Sequence, residues 1–204
     1  RLTWDENQTQ VVFLSDRDDA AAKQPKWKLY RWERQASPAS APAASVLVSG
    51  DMAGFRKEFA ISDKGTLSFS KDGTRVFFAC APPAPDKKDE AADAPADDTK
   101  AVVDLWSYKD DYIQPIQKVR AERDRNRTFA AAYMIPERKI VQLGDAKLET
   151  VTPSESAQWM LGSDDREYRA LADYDERYAD AYLIDAVTGA RKLLVSKHRG
   201  AMTF

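Results

Sequence analysis

The sequence is short of the residues on which much catalytic and metal chemistry rests. It has one cysteine, Cys80, and one histidine, His198, among 204 residues. A single cysteine excludes an internal disulfide framework and any multi-cysteine zinc site, and a single histidine excludes a His-rich metal site. Glycine is sparse, at eight residues, and no two form a G-x-G pair, so there is no dinucleotide fingerprint and no P-loop. Nor is there a G-x-S-x-G nucleophile elbow: the stretch from Gly50 to Gly54 carries Met52 at its centre. Charge of one sign is lacking too. Lys plus Arg is 31 against 33 for Asp plus Glu, a net charge of −2, which removes the broad basic footprint of a nucleic-acid binder. The longest apolar runs, such as Val11-Val12-Phe13-Leu14, are far too short to span a bilayer. With 31% charged residues and a mean hydropathy of −0.59, the composition is that of a water-soluble chain with room for one large domain or two small ones.

What is present is repetition. Residues 2–14 align without a gap over residues 67–79, an offset of 65 (2 to 67). Each copy shows a short strand, a polar turn and a strongly apolar strand. A third copy, residues 152–161, is placed over 69–78 at an offset of 83 (69 to 152), and residues 200–204 match 65–69. The turn Ser70-Lys71-Asp72-Gly73 ends in a residue that adopts positive φ without strain. Asn7-Gln8 and Ser156-Ala157 stand where it has Asp72-Gly73. A second aromatic strand follows each copy, at residues 27–32, 132–136 and 181–185, and a closing strand follows that, at 45–49, 139–143 and 191–196. Four short antiparallel strands recurring in this way predict propeller blades with insertions. The fold class expected is all-β: a partial β-propeller of about three four-stranded antiparallel blades plus one strand of the next. The approximate blades are 1–63, 64–149 and 150–199, with 200–204 starting another. The alternative is a β-sandwich of unrelated strands. A ring of four to eight blades is typical, so this chain is not expected to close one alone, and it is expected to be a piece of a longer protein. Unpaired strand edges at both ends are expected to promote association.

The insertions carry most of the charge. Residues 35–45 are rich in Ala, Ser and Pro and form a flexible hairpin tip. Residues 86–98 hold six acids and two lysines with almost no apolar bulk, a composition that does not order itself. Residues 102–108 read as a further strand. Residues 117–127 carry five basic and two acidic side chains, on a short helix or a polar loop. That run is either a solvated insertion with internal ion pairs or a contact surface for an anionic group or a neighbouring domain. Residues 164–180, with Tyr168, Tyr174 and Tyr178, either line a mouth where a peptide docks or form a twisted strand pair with surface tyrosines.

Candidate reactive side chains are few. His198, beside Lys197 and Arg199, is placed in a loop between blades, where a solvated histidine is the simpler reading than a catalytic base. Cys80 ends an apolar strand with no basic neighbour in sequence, so it is a structural thiol. The acidic pairs Asp18-Asp19, Asp110-Asp111 and Asp164-Asp165 lack calcium-loop spacing. No catalytic, cofactor-binding or metal residue is therefore assigned.

The turn Phe69-Ser70-Lys71-Asp72-Gly73-Thr74-Arg75-Val76 resembles the W-S-P-D-G-K-x-[IVL] blade signature shared by TolB-like propellers and the prolyl oligopeptidase family of serine peptidases. More specific is the segment Asp104-Leu105-Trp106-Ser107-Tyr108-Lys109-Asp110, then Gln114-Pro115 and Gln117, then Arg120-Ala121-Glu122-Arg123-Asp124-Arg125-Asn126-Arg127. With Val141-Gln142-Leu143 and Val151-Thr152-Pro153-Ser154 after it, this segment resembles the propeller of bacterial prolyl oligopeptidase-like peptidases. The resemblance covers roughly residues 67–204, best at 104–161. It implies a non-catalytic propeller that gates a C-terminal α/β-hydrolase domain of the same polypeptide, a domain expected downstream of Phe204 and carrying the Ser, Asp and His triad. The implied substrate of the parent is a short peptide, with no cofactor, no nucleic-acid partner and no membrane span. A periplasmic or secreted location is implied, a cytoplasmic one being the alternative. Two other readings stand beside it: a TolB-like protein-binding scaffold with no enzyme attached, and a ligand-binding all-β module with sites on the tyrosine-rich loops.

Overall fold

The computed structural model describes residues 1–20, 26–34, 43–83, 105–154 and 156–203. Among them, β1 (Leu2–Trp4), β2 (Gln10–Ser15), β3 (Lys28–Glu33) and β4 (Ser45–Val48) form one sheet in chain order. The second sheet runs β5 (Ala60–Ile61), β7 (Arg75–Ala81), β8 (Phe129–Met134) and β9 (Lys139–Gln142), with β6 (Ser68–Phe69) also paired to β7. The third holds β10 (Thr150–Pro153), β11 (Trp159–Asp164), β12 (Tyr178–Asp185) and β13 (Arg191–Arg199) in chain order. All pairings are antiparallel. A helix, α1 (Gln114–Arg125), lies in the connection between β7 and β8. Three such sheets stacked face to face make an all-β, partial β-propeller.

The stacking follows from side-chain alternation. In a strand, successive side chains point to opposite faces. Val76, Phe78 and Cys80 of β7, with Phe129, Ala131 and Tyr133 of β8, meet Val12, Leu14, Leu29 and Leu47 of the first sheet. The alternate residues Phe77, Ala132 and Met134 meet Met160 and Ile184 of the third sheet. The middle sheet is therefore covered on both faces, which is why β7 reads as an unbroken apolar run while β2 alternates. Each fully buried side chain here, such as Val76, Phe78 or Leu29, contributes about 1.5–3 kcal/mol. Polar ties flank the apolar contacts. Gln10 donates to the Gly73 carbonyl at 2.8 Å, and Arg191 donates to the Leu143 carbonyl at 2.9 Å.

The outer sheets each keep an open face. On the first, the pairings Trp4↔Val11, Val11↔Trp32 and Phe13↔Tyr30 align aromatic and apolar groups, with Trp4 and Trp32 edge to face at 6.0 Å. On the third, Leu161 pairs with Leu183, and Val195 pairs with Ala181. The β13 edge is blunted. Its pairing with β12 shifts register twice, and it carries Arg191, Lys192, Lys197 and Arg199, features that oppose edge-to-edge association.

The three turns that open the strongest strands share one geometry. Gln8, Gly73 and Ala157 have φ of 54°, 68° and 55°, and their N–H groups donate to the carbonyls of Asp5, Ser70 and Ser154. This equivalence keeps the offset of 65 between the first two copies and sets the third at 84 (73 to 157), one residue beyond the strand alignment at 83. The difference is physical: a one-residue slip exchanges the faces of every side chain. At 84, Met160 is equivalent to Val76, and both point toward the preceding sheet. At the base of the first turn, buried Asp5 accepts hydrogen bonds from the backbone N–H groups of Thr9 and Gln10 and from the Thr9 hydroxyl. Burial alone would raise its carboxyl pKa; these donors outweigh burial and hold it below the usual carboxylate range.

Several sequence expectations are corrected. β5 is an extra strand piece on β7: the Ser62 N–H still donates to the Ala79 carbonyl, and Gly65 packs so close that an added Cβ would lie 1.9 Å from the Ala79 Cβ. Leu105, Trp106 and Ser107 are not in a strand, and Leu105 is 93% exposed, so apolar content there does not reflect a buried ladder. Tyr108 is likewise in no strand; residues 102–104 of that expected strand, most of the Ala-Ser-Pro tip and the acidic stretch lie outside the described residues. Residues 164–180 contain a 3₁₀ helix, Arg166–Asp173, instead of a strand pair. His198 sits within β13, not in a loop between blades.

Two outcomes follow. Gln8→Gly, at an exposed left-handed position, is expected to leave stability unchanged or raise it by up to about 1 kcal/mol, whereas Gly73→Ala lowers it by about 1–2 kcal/mol; urea unfolding reads both. Because the Asp5 pKa is depressed in the folded state, its contribution is present above the unfolded value and lost as pH falls below it. Asp5→Asn is thus expected to flatten the loss of thermal stability as pH falls below about 4.

Candidate functional site

The basic run 117–127 folds as all but the first three residues of α1, and its exit. Pro115 stands in its first turn, and Arg123 and Arg125 stand in its last, where cations oppose the negative end of the helix dipole. No α1 side chain is buried, so packing of an apolar face does not hold the helix in place. Charge does.

A closed set of contacts ties α1 to the third sheet. Arg169, on the 3₁₀ helix and only 9% exposed, donates from Nε to Asp165 at 2.8 Å and from Nη1 to Asp111 at 3.3 Å. Its Nη2 lies 3.4 Å from Glu149, in the connection before β10. Glu149 also accepts from Arg127 at 2.8 Å, and Arg127 donates to Asp124 at 2.9 Å. Asp124 lies 3.7 Å from Nε of Arg120. The circuit closes on Tyr112, whose ring lies 4.3 Å from the Arg120 guanidinium carbon and 5.6 Å from that of Arg169. Burial would lower the Arg169 pKa, but Asp165, with Glu149 and the other neighbouring groups, raises it further above its ordinary value. Burial and the nearby Asp165 charge push the Tyr112 phenol up, so the ring stays neutral. The run therefore forms internal ion pairs and also bridges to residues of the third sheet. Nothing in the sequence singled out Arg169 beyond the i,i+4 spacing from Asp165 on an Arg- and Asp-rich stretch.

An open cavity of about 230 Å³ adjoins this circuit, lined by Arg120, Arg123, Asp124, Arg127, Glu149 and Thr150, among others. A second of similar volume lies on the open face of the third sheet, where His198, Leu161, Ser163 and Thr150 meet Ala201 and Met202. His198 bonds no carboxylate and no hydroxyl among the described residues, so no triad forms there. Cys80 is fully buried, donates to the Phe129 carbonyl at 3.3 Å and has its pKa pushed up to about 11 by burial, against a smaller opposing effect of Gln142. It is a core thiol, not a nucleophile. Among the described residues no group of three or more His, Cys, Asp or Glu is arranged to hold a metal ion, and no helix is long and apolar enough to cross a membrane.

No protein-family model matches the chain, and no curated protein matches it. Solved structures do. The chain is similar over 98% of its length to TolB from Acinetobacter baumannii, at 12% identity and a TM-score of 0.40, covering 33% of that chain. It is similar over 97% of its length to a prolyl endopeptidase, at 10% identity and a TM-score of 0.46, covering 22% of that chain. It is similar over 93% of its length to a putative TolB from Agrobacterium tumefaciens, at 11% identity and a TM-score of 0.37, covering 46% of that chain. The chain thus spans between about a fifth and just under half the length of these proteins. The likenesses are of fold.

The circuit makes Arg169 the residue whose loss releases α1. Losing one partner of a fully buried pair costs about 3–5 kcal/mol, but Asp111 and Asp165 are more than half exposed and solvent screens them, so Arg169→Met is expected to cost about 1–2 kcal/mol. Amide hydrogen exchange through residues 110–127 should rise more than in the sheets. Arg169→Lys should recover little, because an ammonium does not fork among three carboxylates.

Proposed function

We propose that this chain is the non-catalytic propeller portion of a prolyl oligopeptidase-like serine peptidase. In this reading its sheets screen the active site of a hydrolase domain on the same polypeptide and admit short peptides, which the parent enzyme hydrolyses through an acyl-enzyme on a serine beyond Phe204. The observation that carries the reading is the segment 104–161, whose spacing of Asp104-Leu105-Trp106, Gln114-Pro115, Gln117 and the arginine run resembles that family. Its described part folds as a positioned element, with α1 held on the third sheet by the Arg169 circuit. The open apolar faces of the first and third sheets support the reading as surfaces on which further sheets of the same kind continue the stack.

A TolB-like scaffold with no attached enzyme is the second reading. The turn Ser70-Lys71-Asp72-Gly73 favours it equally, since that signature is common to both families.

A fluorophosphonate probe applied to the natural full-length product separates the two. The expected result is a label on one serine downstream of Phe204, located by peptide mass. A full-length product that ends soon after the sheets close into a ring, with no serine labelled, would overturn the peptidase reading in favour of the scaffold.

A further inference from the structure

The cavity beside α1 is built from groups that bind a carboxylate. Arg120, Arg123 and Arg127 come from the helix and its exit, Asn126 and Thr128 from the connection to β8, and Glu149 and Thr150 from the entry to β10. Arg127 is committed to Asp124 and Glu149. The other two arginines are not fully matched. Arg123 is exposed and pairs with no carboxylate among the described residues. Arg120 keeps its Nε buried without an acceptor, since 3.7 Å to Asp124 is beyond hydrogen-bond reach. Its guanidinium lies against the Tyr112 ring, which holds it where it is. A buried donor without an acceptor destabilises the fold unless a neighbouring charge offsets it.

We propose that this cavity binds a single carboxylate group, carried by a small organic acid or by an acidic side chain of a peptide. The charge count selects the class. Three arginines against Asp124 and Glu149 leave the lining with one net positive charge, which a monoanion neutralises and a phosphate dianion oversteps. Guanidinium groups meet the planar carboxylate in the paired geometry that suits both. The hydroxyls of Thr128 and Thr150 and the amide of Asn126, whose side chains bond no other described residue, add neutral donors at the rim. A cavity of about 230 Å³ has room for a carboxylate with several atoms attached. Compensation of the helix dipole accounts for Arg123 and Arg125 equally well but not for the buried Arg120 Nε that has no acceptor.

The test is NMR of the arginine Nε–H groups in the 204-residue chain, titrated with acetate at constant ionic strength set by chloride. Acetate is expected to shift the Arg120 and Arg123 signals saturably, with a Kd of about a millimolar, as suits one charge-assisted pair in a wet cavity. Arg123→Gln should weaken binding about tenfold. Arg125→Gln, which removes the same charge from the same helix turn outside the cavity, should leave it within about twofold. An N-acetyl, C-amidated peptide with one glutamate tests the second source; saturation tighter than acetate assigns the site to peptides, and saturation weaker than acetate assigns it to small acids. The proposal is overturned by the absence of saturable shifts up to about 100 mM acetate, by equal weakening in Arg125→Gln, or by inorganic phosphate binding more tightly than acetate. Far-UV circular dichroism and thermal melting of each variant confirm that the loss is of binding and not of fold.

Discussion

Face-to-face stacking of sheets imposes a demand that the rest of this molecule answers. A sheet with neighbours on both sides must be apolar on both faces, and among the described residues the middle sheet is the one covered on both. Its β7 and β8 send alternate side chains into two separate clusters, so each residue has its destination set by parity. The turns matter for the same reason. A left-handed residue at Gln8, Gly73 and Ala157 fixes the length of each turn and therefore which side chains face which neighbour. Two of the three positions hold a residue other than glycine, so the geometry is kept against local strain.

Polar contacts play a different part. They do not supply the bulk of the burial, but they fix the insertions that the sheets do not. The helix α1 has no buried side chain, and its position depends on shared carboxylates and a stacked tyrosine. Glu149 is the pivot, since both Arg127 and Arg169 reach it. Much of the circuit lies near solvent, so its strength depends on the geometry of several groups together more than on any one pair.

The repeat was legible because it is written in strong local signals. The aromatic and β-branched runs at Val11-Val12-Phe13 and Val76-Phe77-Phe78 and the Asp72-Gly73 turn mark the strands and their order. The third copy was legible in kind but not in register, because Met160 and Leu161 are both apolar and tolerate either face; only the turn pair Ser156-Ala157 carried the right spacing. The short strand at Ala60–Ile61 has no periodicity of its own and exists because β7 extends far enough to pair with it. Leu105 and Trp106 looked like strand residues, yet residue type reports burial only when a partner is within reach. The charged site was legible as a basic run and no further. Arg169 lies far from that run in sequence, and its partners meet only through the tertiary fold.

The double coverage of the middle sheet also sets the order in which the molecule comes apart. In a linear stack, stability is a sum of each unit's own share and its nearest-neighbour interfaces. The first and third sheets each lean on one neighbour, and the second leans on two. Fraying therefore starts from either end and moves inward, so that the backbone ladder between β7 and β8, from Arg75↔Met134 to Cys80↔Phe129, is the last to open.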